Sequence, residues 1–241
     1  SLIEQELKYF NIKLLGPHIL KSKENFTIEG ENIRFSLNAI KSVSDKTLAK
    51  LRNFCHPFSD KFEIFQAAEQ CGLNIAVVNN LIYAGCLDDY LTQTRTKTAL
   101  ESSLYSLLTP REKIRVGELG KEFNYDLIKI IQYLSKPQNG AEKSFIKEGR
   151  LETLREKFAP HKKIFDLNSK NENLCSYIVE KSLLGFSYSQ NIFEILKKEY
   201  PDIQKVSEII GALEGENFTF GGELTNYKEG KSKNGNKYIK C

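Results

Sequence analysis

The 241-residue sequence has no Met, no Trp and only three His, and its five Cys (Cys55, Cys71, Cys86, Cys175 and Cys241) form no CxxC pair. An odd, scattered set of thiols argues against a disulfide framework and for reduced cysteines. Cys55-His56 is the one adjacent Cys/His pair, and no second pair stands at ligand spacing to complete a zinc site. No apolar run approaches the roughly 18 residues that span a bilayer, and the N-terminus lacks a basic-then-apolar secretory pattern. No membrane partner and a cytoplasmic location are therefore expected. The missing Met, at position 1 as elsewhere, leads us to expect a piece excised or processed from a longer protein. A strong charge of one sign is lacking too: 35 Lys and Arg face 31 Asp and Glu, for a net charge of +4. Residues 227–241 carry five Lys and one Glu, so the first 226 residues are balanced and the excess belongs to the tail. At 40% hydrophobic and 27% charged residues, the composition is that of a soluble globular chain with length for one large or two small cores.

Helical periodicity dominates what is present. Leu2, Ile3, Leu7 and Phe10 share a face before Gly16-Pro17. Phe26-Thr27-Ile28 and Ile33-Arg34-Phe35 alternate on either side of Glu29-Gly30-Glu31-Asn32, which predicts a short β-hairpin. From Leu37 the period turns helical, and Ser44 is placed to cap a helix carrying Leu48, Leu51 and Phe54. Further helices are predicted at Phe62–Cys71, ending at Gly72, and at Ile75–Tyr83, with Gly85 as C-cap. Beyond residue 92 the predicted helices are Ala99–Leu108 (stopped by Pro110), Val116–Phe123, Leu127–Leu134, Leu151–Phe158, Cys175–Leu184 and Ile192–Tyr200. Pro137–Ala141 is the best linker candidate. Phe218–Tyr227 reads as a strand with a Gly pair that bends or bulges it, followed by a polar loop over Lys228–Asn236 and a second strand at Lys237-Tyr238-Ile239.

Residues 36–54 have the outline of a helix-hairpin-helix: a short helix, the polar-apolar-polar turn Ser42-Val43-Ser44, and a second helix. Such a turn points backbone N–H groups and a helix start outward, which suits a phosphate and reads no sequence. An ordinary helix pair is the competing reading. The basic clusters Arg95/Lys97, Arg111/Lys113/Arg115, Lys162/Lys163 and Lys197/Lys198 read as solvated helix faces, since acidic residues interleave with most of them. Lys228, Lys231, Lys233, Lys237 and Lys240 differ, because Tyr227 and Tyr238 place stacking rings beside the cations, as single-strand binders do. Nucleic-acid contact and a solvated loop both stay open there. Gly230-Lys231-Ser232 is no phosphate-binding loop, because Thr225 occupies the position that needs a glycine. Asp88/Asp89 read as capping or solvated residues. No nucleophile, base and orienter combine into a catalytic set, and no carboxylate cluster supports two-metal chemistry.

The sequence resembles the bacterial replicative polymerase family of DNA polymerase III α subunits, in the region downstream of the catalytic domain. The resemblance is carried by Leu14-Leu15-Gly16-Pro17 through Lys21-Ser22 and Ile33–Ser44, by Leu81–Asp88, and by Leu184-Gly185-Phe186-Ser187-Tyr188-Ser189, in that order along the chain. The tail turn Lys231-Ser232-Lys233-Asn234-Gly235 is similar to the opening hairpin of the family's OB domain. The family's hairpin glycines are Ser36, Ser42 and Ser44 here.

The resemblance implies a mainly α fold: the end of the fingers with a β-hairpin at 1–35, a tandem helix-hairpin-helix DNA-binding domain at 36–90, a divergent helical segment at 91–205 and the start of a truncated OB fold at 206–241. It further implies double-stranded template-primer DNA as partner, contacted through Lys41, Ser42, Val43, Ser44 and Lys46 and through Lys231 and Lys233, with single-stranded DNA at the C-terminal hairpin as a further partner. Sliding-clamp binding belongs by resemblance to the zone 91–180. Gln190-Asn191-Ile192-Phe193 has a clamp motif's composition but lies outside that zone. The parent polymerase is expected to use Mg2+ at catalytic aspartates upstream of this chain. The chain is thus expected to carry no cofactor and to be inactive alone. A helical protein-interaction scaffold without direct DNA contact is the alternative.

Overall fold

The computed structural model describes residues 6–7, 9–54, 58–138, 142–205, 215, 217–224, 226–232 and 235–240. The chain forms two compact units, residues 1–189 and 190–241.

The first unit opens on a three-stranded sheet of β1 (Leu14–Leu15), β2 (Thr27–Glu29) and β3 (Asn32–Arg34), in the order β1-β3-β2. The predicted hairpin is β2–β3, with Glu29 opposite Asn32 and a two-residue turn in which Gly30 takes φ +63°. Strand β1, which runs parallel to β3, was not predicted, because two residues are too few to show an alternation.

Next come α1 (Asp45–Leu51), α2 (Lys61–Gln70), α3 (Ile75–Tyr83), α4 (Arg95–Ser106), α5 (Pro110–Leu119), α6 (Leu127–Leu134), α7 (Glu148–Asn168) and α8 (Glu172–Leu184). Most have a capping side chain: Ser44, Asp60, Asn74, Thr94, Asp126 and Asn171 each accept from a first-turn backbone N–H. Three departures from the periodicity have physical causes. The short helix expected after Leu37 is instead a succession of turns, with Ile40 N–H donating to Leu37 (3.2 Å) and Val43 N–H to Ile40 (2.8 Å). Leu37, Ile40 and Val43 are all buried, and a strict three-residue spacing suits such turns better than a 3.6-residue helix. Pro110, read as a stop, is the first residue of α5, where its missing N–H costs nothing and Thr109 and Glu112 close a capping box. Helix α7 runs 21 residues straight through Pro160, which is exposed.

One apolar cluster runs from Ile19 to Leu184 and is the core of this unit. It encloses an ion pair between Lys61 and Glu101, which are 1% and 0% exposed. Glu101 also accepts from Leu127 N–H (3.0 Å), and Lys61 donates to Gln93 (3.1 Å).

The second unit holds α9 (Ile192–Glu199) and the antiparallel hairpin of β4 (Lys228–Lys231) and β5 (Lys237–Lys240). Ile195 and Ile203 are buried in it. The strand expected over Phe218–Tyr227 is not formed among the described residues: Phe220 makes a single bridge to Gln204, and ladder pairing starts at Lys228. Glycine weakens a strand interior, and the backbone at Gly221 lies against Leu196 instead. The first half of the expected polar loop is therefore strand. The fold is mainly α, with a small N-terminal sheet and a C-terminal β-hairpin.

Candidate nucleic-acid interface

Ser42-Val43-Ser44 joins the turns after Leu37 to α1. Val43 is buried and anchors the turn, while Lys41, Ser44 and Lys46 are exposed. Ser44 is extended (φ −90°, ψ 168°), a conformation open to any residue, and its hydroxyl accepts from Thr47 N–H (3.3 Å). A serine at position 44 is thus accommodated without strain and adds a cap. The first-turn N–H groups of Asp45 and Lys46 have no intrahelical acceptor. Among the described residues Lys41 and Lys46 form no ion pair, and Ser42 Oγ is the buried side-chain polar atom without a hydrogen-bond partner. Asp45 opposes these cations: it suits the positive start of α1 but would repel a phosphate there.

A second turn repeats the pattern thirty residues on. Gly72-Leu73-Asn74 joins α2 to α3, with Gly72 at φ +65° and the Asn74 side chain accepting from Ala76 N–H (2.8 Å). Leu73, like Val43, packs on the core. Lys50, in the last turn of α1, donates to the Gly72 carbonyl and so ties that helix to the second turn. The second turn was missed as a site in the sequence, although small-apolar-polar at 72–74 mirrors 42–44.

The segments that carry the family resemblance, far apart in sequence, meet on one side of this tandem. The Tyr188 ring lies over Gly16 and its hydroxyl over Gly85, so a Cβ at either glycine would overlap that side chain. Its hydroxyl donates to Ala84 O (3.3 Å) and accepts from Arg95 Nη2 (2.9 Å). Glu180 is fully buried and accepts from Arg95 Nη1, the Ser187 hydroxyl (2.7 Å), Tyr188 N–H (3.0 Å), Ser189 N–H (3.1 Å) and the Ser189 hydroxyl. Arg95 is also clamped by Asp88. Ile19 N–H donates to Cys86 O (2.8 Å), and Asp89 binds both His18 (3.0 Å) and Lys21 (3.2 Å). Burial pulls the His18 pKa below 6.5 against the opposing pull of Asp89. Its Nδ1 accepts from Leu20 and Lys21 N–H, which fixes the neutral form with the proton on Nε2. At the far end of α8, Leu183 O accepts Lys41 N–H (3.0 Å), so this support reaches the first hairpin turn directly. We name the assembly the Glu180–Tyr188 clasp.

The clasp corrects the reading of Arg95 as part of a solvated face, since its side chain is 11% exposed. Lys97, Lys113 and Arg115 are paired with Asp126, Glu69 and Glu118. Asp88 and Asp89 hold cations of the chain itself. Among the described residues, no group of three or more His, Cys, Asp or Glu could hold a metal ion. No helix among them is long and apolar enough to cross a membrane.

In the second unit, Lys231 lies in β4 opposite Lys237, and Lys233 lies outside the described residues. Tyr238 faces Gly230 across the ladder, where a Cβ would come within 2.6 Å of its ring. Lys228 shares that strand face by the alternation of side chains. Ile192 and Phe193 open α9, and Lys197 and Lys205 lie over the Phe193 ring.

A family model described as a helix-hairpin-helix motif matches residues 11–98. Over 88 residues the chain is 34% identical to the DNA polymerase III subunit alpha of Bacillus subtilis and 35% identical to that of Aquifex aeolicus, in each case 35% of this chain and 8% of the relative. With the same subunit of Thermus aquaticus it shares 26% identity over 119 residues, 48% of this chain and 10% of that protein. The chain thus covers no more than a tenth of the length of these relatives. Together with the two capped hairpin turns, these matches identify a helix-hairpin-helix region related to the DNA polymerase III alpha subunit.

Proposed function

We propose that this chain grips template-primer duplex DNA by its phosphate backbone, as the part of a replicative DNA polymerase that keeps the product bound between nucleotide additions. The observation that carries the reading is the pair of capped hairpin turns, Ser42-Val43-Ser44 and Gly72-Leu73-Asn74, the second held to α1 by Lys50, within the region that matches the helix-hairpin-helix model. Residues 1–90 hold ten basic and eleven acidic residues, so the grip relies on local geometry. First-turn N–H groups and the exposed Lys41 and Lys46, which make no ion pair among the described residues, provide it. Such contacts are indifferent to base sequence and weaken with salt. Polymerase chemistry and its Mg2+ belong to the parent protein in this reading.

The test is fluorescence anisotropy of a labelled primer-template duplex titrated with the chain at low salt. Lys41→Glu with Lys46→Glu is expected to weaken binding by at least about tenfold and to reduce the salt slope by roughly two. Absence of binding by the parent chain, or no loss in the double variant, would refute the proposal.

A second site is supported by the C-terminal hairpin. The exposed Tyr238 ring over Gly230, with Lys228 on the same face, offers a stacking platform beside a cation. We read it as a single-strand contact at the opening of an OB fold. Binding of an oligothymidylate that Tyr238→Ala leaves unchanged would remove this site.

A further inference from the structure

We propose that the outward face of the second half of α7 is a docking surface for an acidic amphipathic helix of a partner protein. Pro160, Ile164 and Leu167 stand at i, i+4 and i+7, which puts them in one stripe along the helix. Ile164 and Leu167 are 56% and 67% exposed. The helix packs on its own unit through its other side, with Leu154 buried and Leu151 and Phe158 against the core. Such a stripe, left in water, is what a facing helix covers when its ridges seat between these side chains.

The flanking charge selects the occupant. Lys157 and Lys163 stand to either side of the stripe and Lys170 lies in the turn just beyond α7; all three are exposed and make no ion pair among the described residues, against Glu156 and Asp166 in the same stretch. Earlier in the same helix the arginines are paired, Arg150 with Glu112 (2.8 Å) and Arg155 with Glu148 (3.0 Å). A second copy of this chain would bring like cations together. A nucleic-acid backbone would satisfy the lysines and leave Ile164 and Leu167 in water. A helix with an apolar stripe edged by Glu or Asp answers both features. Pro160 adds a polar handle: lacking an N–H, it leaves the Glu156 carbonyl without its intrahelical donor. From Lys157 to Lys170 the face is about 20 Å long, room for about four turns of a partner. A surface of this size makes a weak, salt-sensitive contact.

The probe is a labelled synthetic helix of about four turns with Leu at i, i+4, i+7 and i+11 edged by Glu, beside a scrambled peptide of the same composition. The full chain is expected to bind the patterned peptide at least about tenfold more tightly than the scrambled one. Ile164→Asp with Leu167→Asp should abolish that preference at an unchanged thermal midpoint, and Lys163→Glu with Lys170→Glu should flatten the salt dependence. Equal binding of the two peptides, or a preference that survives the Asp substitutions, would overturn the proposal. Loss of duplex but not peptide binding in the Lys variants would also overturn it and assign the face to nucleic acid. Lys41→Glu with Lys46→Glu should leave peptide binding intact, which separates this surface from the hairpin reading.

Discussion

Replacing Glu180 by Gln removes one negative charge from the clasp and little else. Five donors converge on the carboxylate: one oxygen takes Arg95 Nη1 and the Ser189 hydroxyl, the other takes the Ser187 hydroxyl and the N–H groups of Tyr188 and Ser189. An amide oxygen can serve the second set, but its NH2 then faces the Arg95 guanidinium. A charge-assisted bond is worth about 1.5–3 kcal/mol, and breaking one side of a buried pair costs about 3–5 kcal/mol. Asp88 still grips Arg95 through Nε (2.8 Å) and Nη2, which keeps the guanidinium partly compensated and places the loss near the lower end, about 3 kcal/mol. For a unit of this size the expected drop in thermal midpoint is about 6–12 °C. Chemical and thermal denaturation of the whole chain measure it, and amide exchange should show Tyr188 and Ser189 losing protection first. Asp88→Asn is the control. Its side chain is 42% exposed, so it should cost less than about 1 kcal/mol. Unfolding of Glu180→Gln within about 0.5 kcal/mol of the parent, or an equal effect of Asp88→Asn, would refute the assignment of Glu180 as the hub.

Three further outcomes are expected. Asp45→Asn should tighten duplex binding while lowering stability by about 0.3–1 kcal/mol, because Asp45 favours the start of α1 and repels a phosphate there; paired anisotropy and melting measurements check both signs. Burial lowers the His18 pKa below 6.5, so the folded protein binds fewer protons at this site than the unfolded chain; its contribution is present above about pH 6.5 and is lost as pH falls through the folded value. Urea midpoints between pH 7.5 and 5.5 should therefore decline, and less steeply in His18→Gln. For the buried pair, Lys61→Met strands the Glu101 charge and should cost about 3–5 kcal/mol, whereas Lys61→Met with Glu101→Gln should recover much of that in a double-mutant cycle.

The elements were largely legible from apolar spacing and caps: α3 and α6 match the predicted residues, and Ser44 caps as expected. Where the reading failed, a local rule competed with another. Leu37, Ile40 and Val43 look helical in a short window, yet all three needed burial at once and took turns instead. Thr109 and Glu112 turned Pro110 from a stop into a start. The hairpin turn at Ser42–Ser44 was visible because its polar-apolar-polar pattern sits before a capped helix. The clasp was not. Nothing local marks Glu180, Arg95 or Tyr188 as partners, since they come together only through tertiary packing across 85 to 93 residues.

The region matched by the helix-hairpin-helix model ends at residue 98, yet one wall of it is Tyr188, and its first turn hangs from Leu183. The matched region is therefore completed by residues that lie outside it. The residues in between supply much of the same core and Glu101, the partner of buried Lys61, and they bring the chain back so that Tyr188 lies against Gly16 and Gly85 and Glu180 under Arg95. A change far from the hairpin turns, at Glu180 or Tyr188, therefore reaches them through the geometry of that return.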